Sequence, residues 1–146
     1  MPANSDFREM FSAFNAENVE YLVVDAHAVI YYTEPRYTKD LDIWVNPTAE
    51  NAKRVYEALK RFGAPLDDVT HSSLTDPESV FQIGVAPNRI DIMMGIAGVD
   101  FSSAWTGRVD TTYDDIPIHI LGKVQLIQTK RATGRPQDLL DIQRLT

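Results

Sequence analysis

The sequence contains no cysteine, which excludes disulfides, thiolate metal sites and cysteine nucleophiles and fits a reducing compartment. Neither G-x-x-x-x-G-K-[ST] nor G-x-G-x-x-G is present, so a phosphate-cradling glycine loop of the P-loop kinase kind is excluded. No apolar run approaches the roughly 18 residues of a membrane span. The first residues, MPANSDFREM, lack the apolar core of a signal peptide, so a cytoplasmic protein is the expectation. Basic charge is scarce: 14 Lys and Arg stand against 21 Asp and Glu, a formal charge of -7. That balance argues against broad, non-specific nucleic-acid binding, which needs basic surface to neutralise phosphate. The basic residues that exist gather late, where Lys123, Lys130, Arg131, Arg135 and Arg144 face only Asp138 and Asp141.

What is present is the composition of an ordinary globular protein, 44% hydrophobic and 24% charged over 146 residues. One domain spanning 1–146 is expected, with a helical tail from about residue 122. Ser5 is placed to cap a helix whose Phe7, Met10, Phe11 and Phe14 fall on one stripe. EYLVV (20–24) reads as a buried strand, followed almost without a loop by a short helix over AHAVIYY (26–32), which Glu34-Pro35 ends. Thr48 caps an amphipathic helix with Ala52, Val55, Tyr56, Leu59 and Phe62 inward, stopped by Gly63 and Pro65. Residues 64–78 read as loop. SVFQIGV (79–85) and RIDIMM (89–94) read as strands joined at 86–88, and 95–107 as irregular. IPIHIL (116–121) is a late strand, and two helical stretches follow Gly122, broken at Gly134-Arg135-Pro136. The fold class expected is α/β (α+β): a small mixed sheet with helices packed on it.

The chemistry gathers in YTKDLDIWV (37–45). Asp40 and Asp42 alternate with Leu41, Ile43 and Val45, so on a strand the two carboxylates share a face roughly 6.5–7 Å apart. In RIDIMM, Asp91 shares a face with Met93, while Ile90 and Ile92 face the other way. If the two strands are neighbours, three acids converge, and like charges so placed raise one another's pKa unless a cation intervenes. Mg²⁺, or Mn²⁺ in its place, suits an all-oxygen site that also takes substrate phosphates. Two such ions could activate an attacking oxygen and stabilise a departing one. A paired acid on an exposed strand face is also commonplace, so the D-x-D pattern alone decides nothing.

Taken together, YLVVDAHAVIYY, RYTKDLDIWV and NRIDIMM resemble the nucleotidyltransferase superfamily of DNA polymerase beta, the minimal nucleotidyltransferases and the abortive-infection toxins. The shared pattern is a strand, a tight turn into a helix, D-x-D on the next strand and a third acid on a later one. KRATGRPQDLLDIQRL is similar to the tail of a small toxin-like branch. The resemblance implies a nucleotidyltransferase in which Asp40, Asp42 and Asp91 are catalytic and bind Mg²⁺. It places Asp25, Ala26, Arg36, Thr38 and Lys130 at the nucleoside triphosphate, with Lys130 approaching the phosphates. It also implies an acceptor hydroxyl on RNA or protein and a toxin–antitoxin context, and a homodimer or an antitoxin partner is expected. One departure stands out, because the family turn begins with glycine and this chain has Asp25 followed by Ala26. Asp25 could point away, join the acids as a fourth carboxylate, or mark a weakened enzyme, and impaired activity is the expectation. The alternative is a catalytically inactive domain that binds nucleotide or a partner protein.

The remaining polar residues read as structural. His27 is expected to pack or cap at its helix start. His71 and His119 lack metal-ligand spacing, and Ser72 and Ser73 lack the turn and partners of a hydrolase. Trp44 and Tyr37 could stack on a base, though core packing is the expected role of Trp44, and Trp105 is expected to anchor the irregular segment. Arg135 and Asp138 stand at i, i+3 and can pair across a helix start.

Overall fold

The structure, a computed structural model, describes residues 4–34, 40–84 and 88–146. Helix α1 (Ser5–Ala16) is capped by Asn4 rather than by Ser5: the Asn4 side chain accepts from the backbone N–H groups of Asp6 and Phe7. Either residue type can cap, and the chain turns extended one residue earlier than expected. The α1 stripe of Phe7, Met10, Phe11 and Phe14 is buried as its spacing requires. Strand β1 (Tyr21–Val24) runs directly into α2 (Asp25–Tyr32), then β2 (Leu41–Val45) and α3 (Ala49–Phe62) follow. Thr48 caps α3 and Gly63 ends it in the left-handed region at φ 91°, which costs glycine little.

Two stretches read as loop or irregular are in part helical. His71–Thr75 is a one-turn helix, α4, because Thr70 and Ser73 cap it reciprocally, each side chain accepting from the other's backbone N–H. Ser72 and Ser73 therefore belong to a helix rather than a loop. Phe101–Thr106 is a second, α5, whose Asp100 side chain accepts from Ser103 N–H. A capping residue followed by a single turn has too few residues to show apolar periodicity. Between these helices lie β3 (Val80–Ile83) and β4 (Ile90–Met93). Strand β5 (Val109–Tyr113), not expected from the sequence, pairs antiparallel with β6 (Ile116–Ile120). Helices α6 (Lys123–Thr133) and α7 (Pro136–Leu145) complete the described chain.

The six strands form one mixed sheet in the order β3-β4-β2-β1-β6-β5. β1 runs antiparallel to β2 and parallel to β6, while β2 and β4 are parallel. Tyr21 stacks on Phe11 and meets Phe14 of α1 edge-on, so one face of the sheet is covered by α1, which also packs on α3. Trp44, on the other face by alternation, meets Phe101 of α5 edge-on at 5.0 Å. It is 1% exposed and part of the core, and full burial of such a side chain contributes about 1.5–3 kcal/mol. Trp105 stacks on Phe101, and the Arg108 guanidinium lies 3.9 Å above its ring. Buried Asn51 joins α3 to the sheet, accepting from Glu20 N–H and donating to the carbonyls of Glu20 and Asn46. Among the described residues no helix is long and apolar enough to cross a membrane.

Candidate active site

The register of two parallel strands decides whether the sequence's three acids meet. Asp42 lies opposite Asp91, and Trp44 opposite Met93, so both acids project from the sheet face that carries Trp44. Asp40 immediately precedes β2. Arg36 and Thr38 lie outside the described residues, as does Tyr37.

One cation already spans this group. Arg89 donates from Nε to Asp91 Oδ1 at 2.9 Å and from Nη2 to Asp91 Oδ2 at 3.2 Å. The same Nη2 stands 3.5 Å from Asp40 Oδ2. Arg89 was not singled out by sequence reasoning, yet it sits two residues before Asp91 in NRIDIMM. Period-two alternation puts both on one face, which is the signal that could have found it.

Among the described residues, one half-exposed guanidinium stands against these acids. Burial drives the Asp42 carboxyl up to about 7, and the charges of Asp25, Asp91 and Asp40 push in the same direction, as does a hydrogen bond with Asp91. The three acids offer the hard oxygen donors that Mg²⁺ or Mn²⁺ takes, and the raised Asp42 reflects first its burial and then the neighbouring carboxylate charge. As they stand, no three acidic or imidazole groups among the described residues form an arrangement that could hold a metal ion. The donor set fits the ion in kind, and Arg89 bonds two of the acids that would have to close on it.

Asp25 follows β1 without a loop and has φ 57°. This is the left-handed region where a Cβ is costly, so the backbone at this turn has the shape that favours glycine although the residue is aspartate. Its side chain neither points away nor stands unpaired: Asp25 Oδ1 accepts from Lys130 Nζ at 2.9 Å. Lys130 is 4% exposed, so it does not lie on a solvated helix face. Its ammonium also stands 3.4 Å from Asp138 Oδ1 and 3.1 Å from Asp141 Oδ2. Burial pulls the Lys130 pKa down, but the carboxylates of Asp25 and Asp141 outweigh it and hold the group above its ordinary value.

Asp138 is held well below the usual carboxylate range, chiefly by Arg135 and further by Thr133 and Lys130, against the cost of burial. The i, i+3 pair expected of Arg135 and Asp138 forms, with Arg135 Nε donating at 2.8 Å. Arg135 N–H also donates to Asp138 Oδ2 at 3.1 Å, which caps α7.

Asp40 and Asp42 of the first group and the residues around Lys130 border one open cleft of about 300 Å³, lined by Asp25, Ala26, Asp40, Asp42, Lys130, Arg135, Gln137, Asp138 and Asp141. A second cavity of about 180 Å³ shares Asp25, Lys130, Arg135 and Asp138 and is otherwise walled mainly by Val24, Met93, Ile96 and Leu126, with Thr129 and Thr133. The arrangement places carboxylates, an apolar slot and the two basic groups of Lys130 and Arg135 side by side. His27 packs edge-on against Phe7 at 5.4 Å, its pKa lowered by burial, in keeping with a packing role.

The sequence matches no protein-family model and no curated protein at a significant level. Solved structures are similar to it along nearly its whole length. The lincosamide antibiotic adenylyltransferase LnuA, with lincomycin bound, is 14% identical, covers 99% of this chain and 98% of its own, and gives a TM-score of 0.60. A Thermotoga maritima protein with the provisional name nucleotidyltransferase is also 14% identical, covers 94% of this chain and 88% of its own, and gives 0.61. With its mixed sheet and seven described helices superposing on these molecules nearly end to end, the chain has the nucleotidyltransferase fold.

Proposed function

We propose that the protein is a Mg²⁺-dependent nucleotidyltransferase, moving a nucleoside monophosphate from a nucleoside triphosphate to an acceptor hydroxyl with release of pyrophosphate. The observation that carries this reading is the in-register pair Asp42 and Asp91 on parallel strands, with Asp40 lining the cleft beside Asp42. Asp40, Asp42 and Asp91 would hold the metal, which would supply electrostatic stabilisation of phosphate charge when bound. The chain's own contribution is then threefold. Deprotonated Asp42 faces the cleft, Asp91 orients the attacking oxygen, and Lys130, held in place by Asp25, Asp138 and Asp141, lends positive potential to the cleft's other wall. The apolar slot beside Val24, Met93 and Leu126 is placed to take a base or an acceptor ring.

The acceptor proposed is RNA or protein, in keeping with the likeness of the carboxyl-terminal segment to toxin-like members. A small-molecule hydroxyl is the second reading. It is favoured by near-complete mutual coverage with an adenylyltransferase whose structure holds lincomycin. The Asp25–Lys130 pair supports reduced phosphate affinity rather than an inert scaffold, because the anion at the turn is compensated. Incubation with each labelled nucleoside triphosphate and Mg²⁺, in the presence of cell RNA, cell protein or a panel of small hydroxyl compounds, tests the reading. Label is expected in one acceptor class and lost in Asp42→Asn. Transfer that persists in Asp42→Asn, or no transfer to any class, would refute it.

A further inference from the structure

Arg89 makes the tightest contacts in the acid group, and its geometry is that of a counter-ion rather than a strut. It forks onto both oxygens of Asp91 at 2.9 and 3.2 Å and reaches Asp40 at 3.5 Å, yet its own side chain is 37% exposed. A half-solvated guanidinium can swing into water at modest cost. The carboxylates it would leave are less free: Asp91 is 7% exposed and fixed in the β2–β4 register. Uncompensated, such acids repel one another. A proton or a cation relieves that repulsion, and the chain carries a cation of its own at Asp40 and Asp91.

We propose that Arg89 is a stand-in cation that occupies the ends of Asp40 and Asp91 until a divalent ion displaces it, so that Arg89 sets the metal affinity of the site. This rests on the reading of Asp40, Asp42 and Asp91 as ion ligands. It explains why the donor set fits a divalent ion in kind while no three acids yet form a cage for one: the guanidinium fork holds the Asp91 oxygens to itself. A charge this near opposes a second cation by Coulomb repulsion as well as by occupying the lone pairs. Arg89 thereby acts through Asp40 and Asp91, as a positioning residue.

The test is Mn²⁺ binding to the full chain without nucleotide, followed by electron paramagnetic resonance, for wild type, Arg89→Gln, Arg89→Lys and Asp42→Asn. Arg89→Gln should bind Mn²⁺ about tenfold more tightly or better, the repulsion having been removed. Arg89→Lys should fall between it and wild type, because an ammonium lacks the fork that holds both oxygens. In thermal melts Arg89→Gln should start below wild type without metal and gain more from saturating Mn²⁺. Binding that Asp42→Asn abolishes but that neither Arg89 variant tightens would overturn the displacement while leaving the ligand assignment standing. Binding indifferent to Asp42→Asn, or none in any variant, would overturn both. The Lys variant keeps the charge and guards against a Gln variant that fails to fold.

Discussion

Around Lys130, three carboxylates divide one buried ammonium, and Arg135 and Thr133 complete the bonding of Asp138. At the ends of β2 and β4, the half-exposed Arg89 guanidinium pairs with Asp40 and Asp91, and among the described residues no cation is bonded to Asp42. The cleft is lined by carboxylates of both groups, yet Asp138 is held below its ordinary pKa and Asp42 is raised to about 7. In the first group the charges are matched inside the fold, and the group behaves as structure. In the second the fold leaves negative charge unmatched at an opening, where something from solution can supply the difference. The same side chain thus stabilises where donors and cations bond it, as at Asp138, and is raised where burial and neighbouring carboxylates dominate, as at Asp42.

The comparison breaks most visibly at Lys130. Lys130→Met leaves Asp138 and Asp141 buried without their ammonium and should cost about 3–5 kcal/mol in urea denaturation; a loss below about 1 kcal/mol would mean the node is not electrostatic. Asp138→Asn should cost about 2–3 kcal/mol at neutral pH, since bonds to a charged partner weaken. Because the folded pKa of Asp138 lies below its unfolded value, its contribution is present above about pH 4 and is lost as pH falls, so the two proteins should converge in acid.

Asp42 should show the opposite sign. Its folded pKa is above its unfolded value, so ionising it destabilises the fold as pH rises between about 4 and 7. Asp42→Asn should therefore be about 2 kcal/mol more stable than wild type at pH 8 and no more stable at pH 4. Denaturation at the two pH values checks both points. The smallest effect is expected at Asp25→Gly. Relief of a left-handed aspartate and loss of the Lys130 bond nearly cancel, giving under about 1 kcal/mol, while nucleotide affinity in a calorimetric titration with Mg²⁺ should rise because an anion that repels phosphate is removed from the cleft wall.

Much of this was legible in the sequence because it rests on alternation. Period two placed Asp40, Asp42 and Asp91 on their faces, and helical spacing placed the α1 and α3 cores. That the two acid strands are parallel neighbours with Asp42 opposite Asp91 is a long-range fact that local pattern cannot carry. The same holds for Lys130, whose spacing on α6 says nothing of Asp25, 105 positions away. Helices α4 and α5 escaped because a capped single turn has no period to read. Strand β5, VDTTY, escaped because its residues are polar and half-exposed at the sheet edge.

The most direct measurement is a carbon-detected NMR titration of the Asp42 carboxyl with and without saturating Mg²⁺. Without the ion its midpoint should lie near 7, and with Mg²⁺ it should fall below about 6, because a bound cation favours the charged form. An ordinary midpoint near 4 without metal, or a raised one that Mg²⁺ leaves unmoved, would contradict the account.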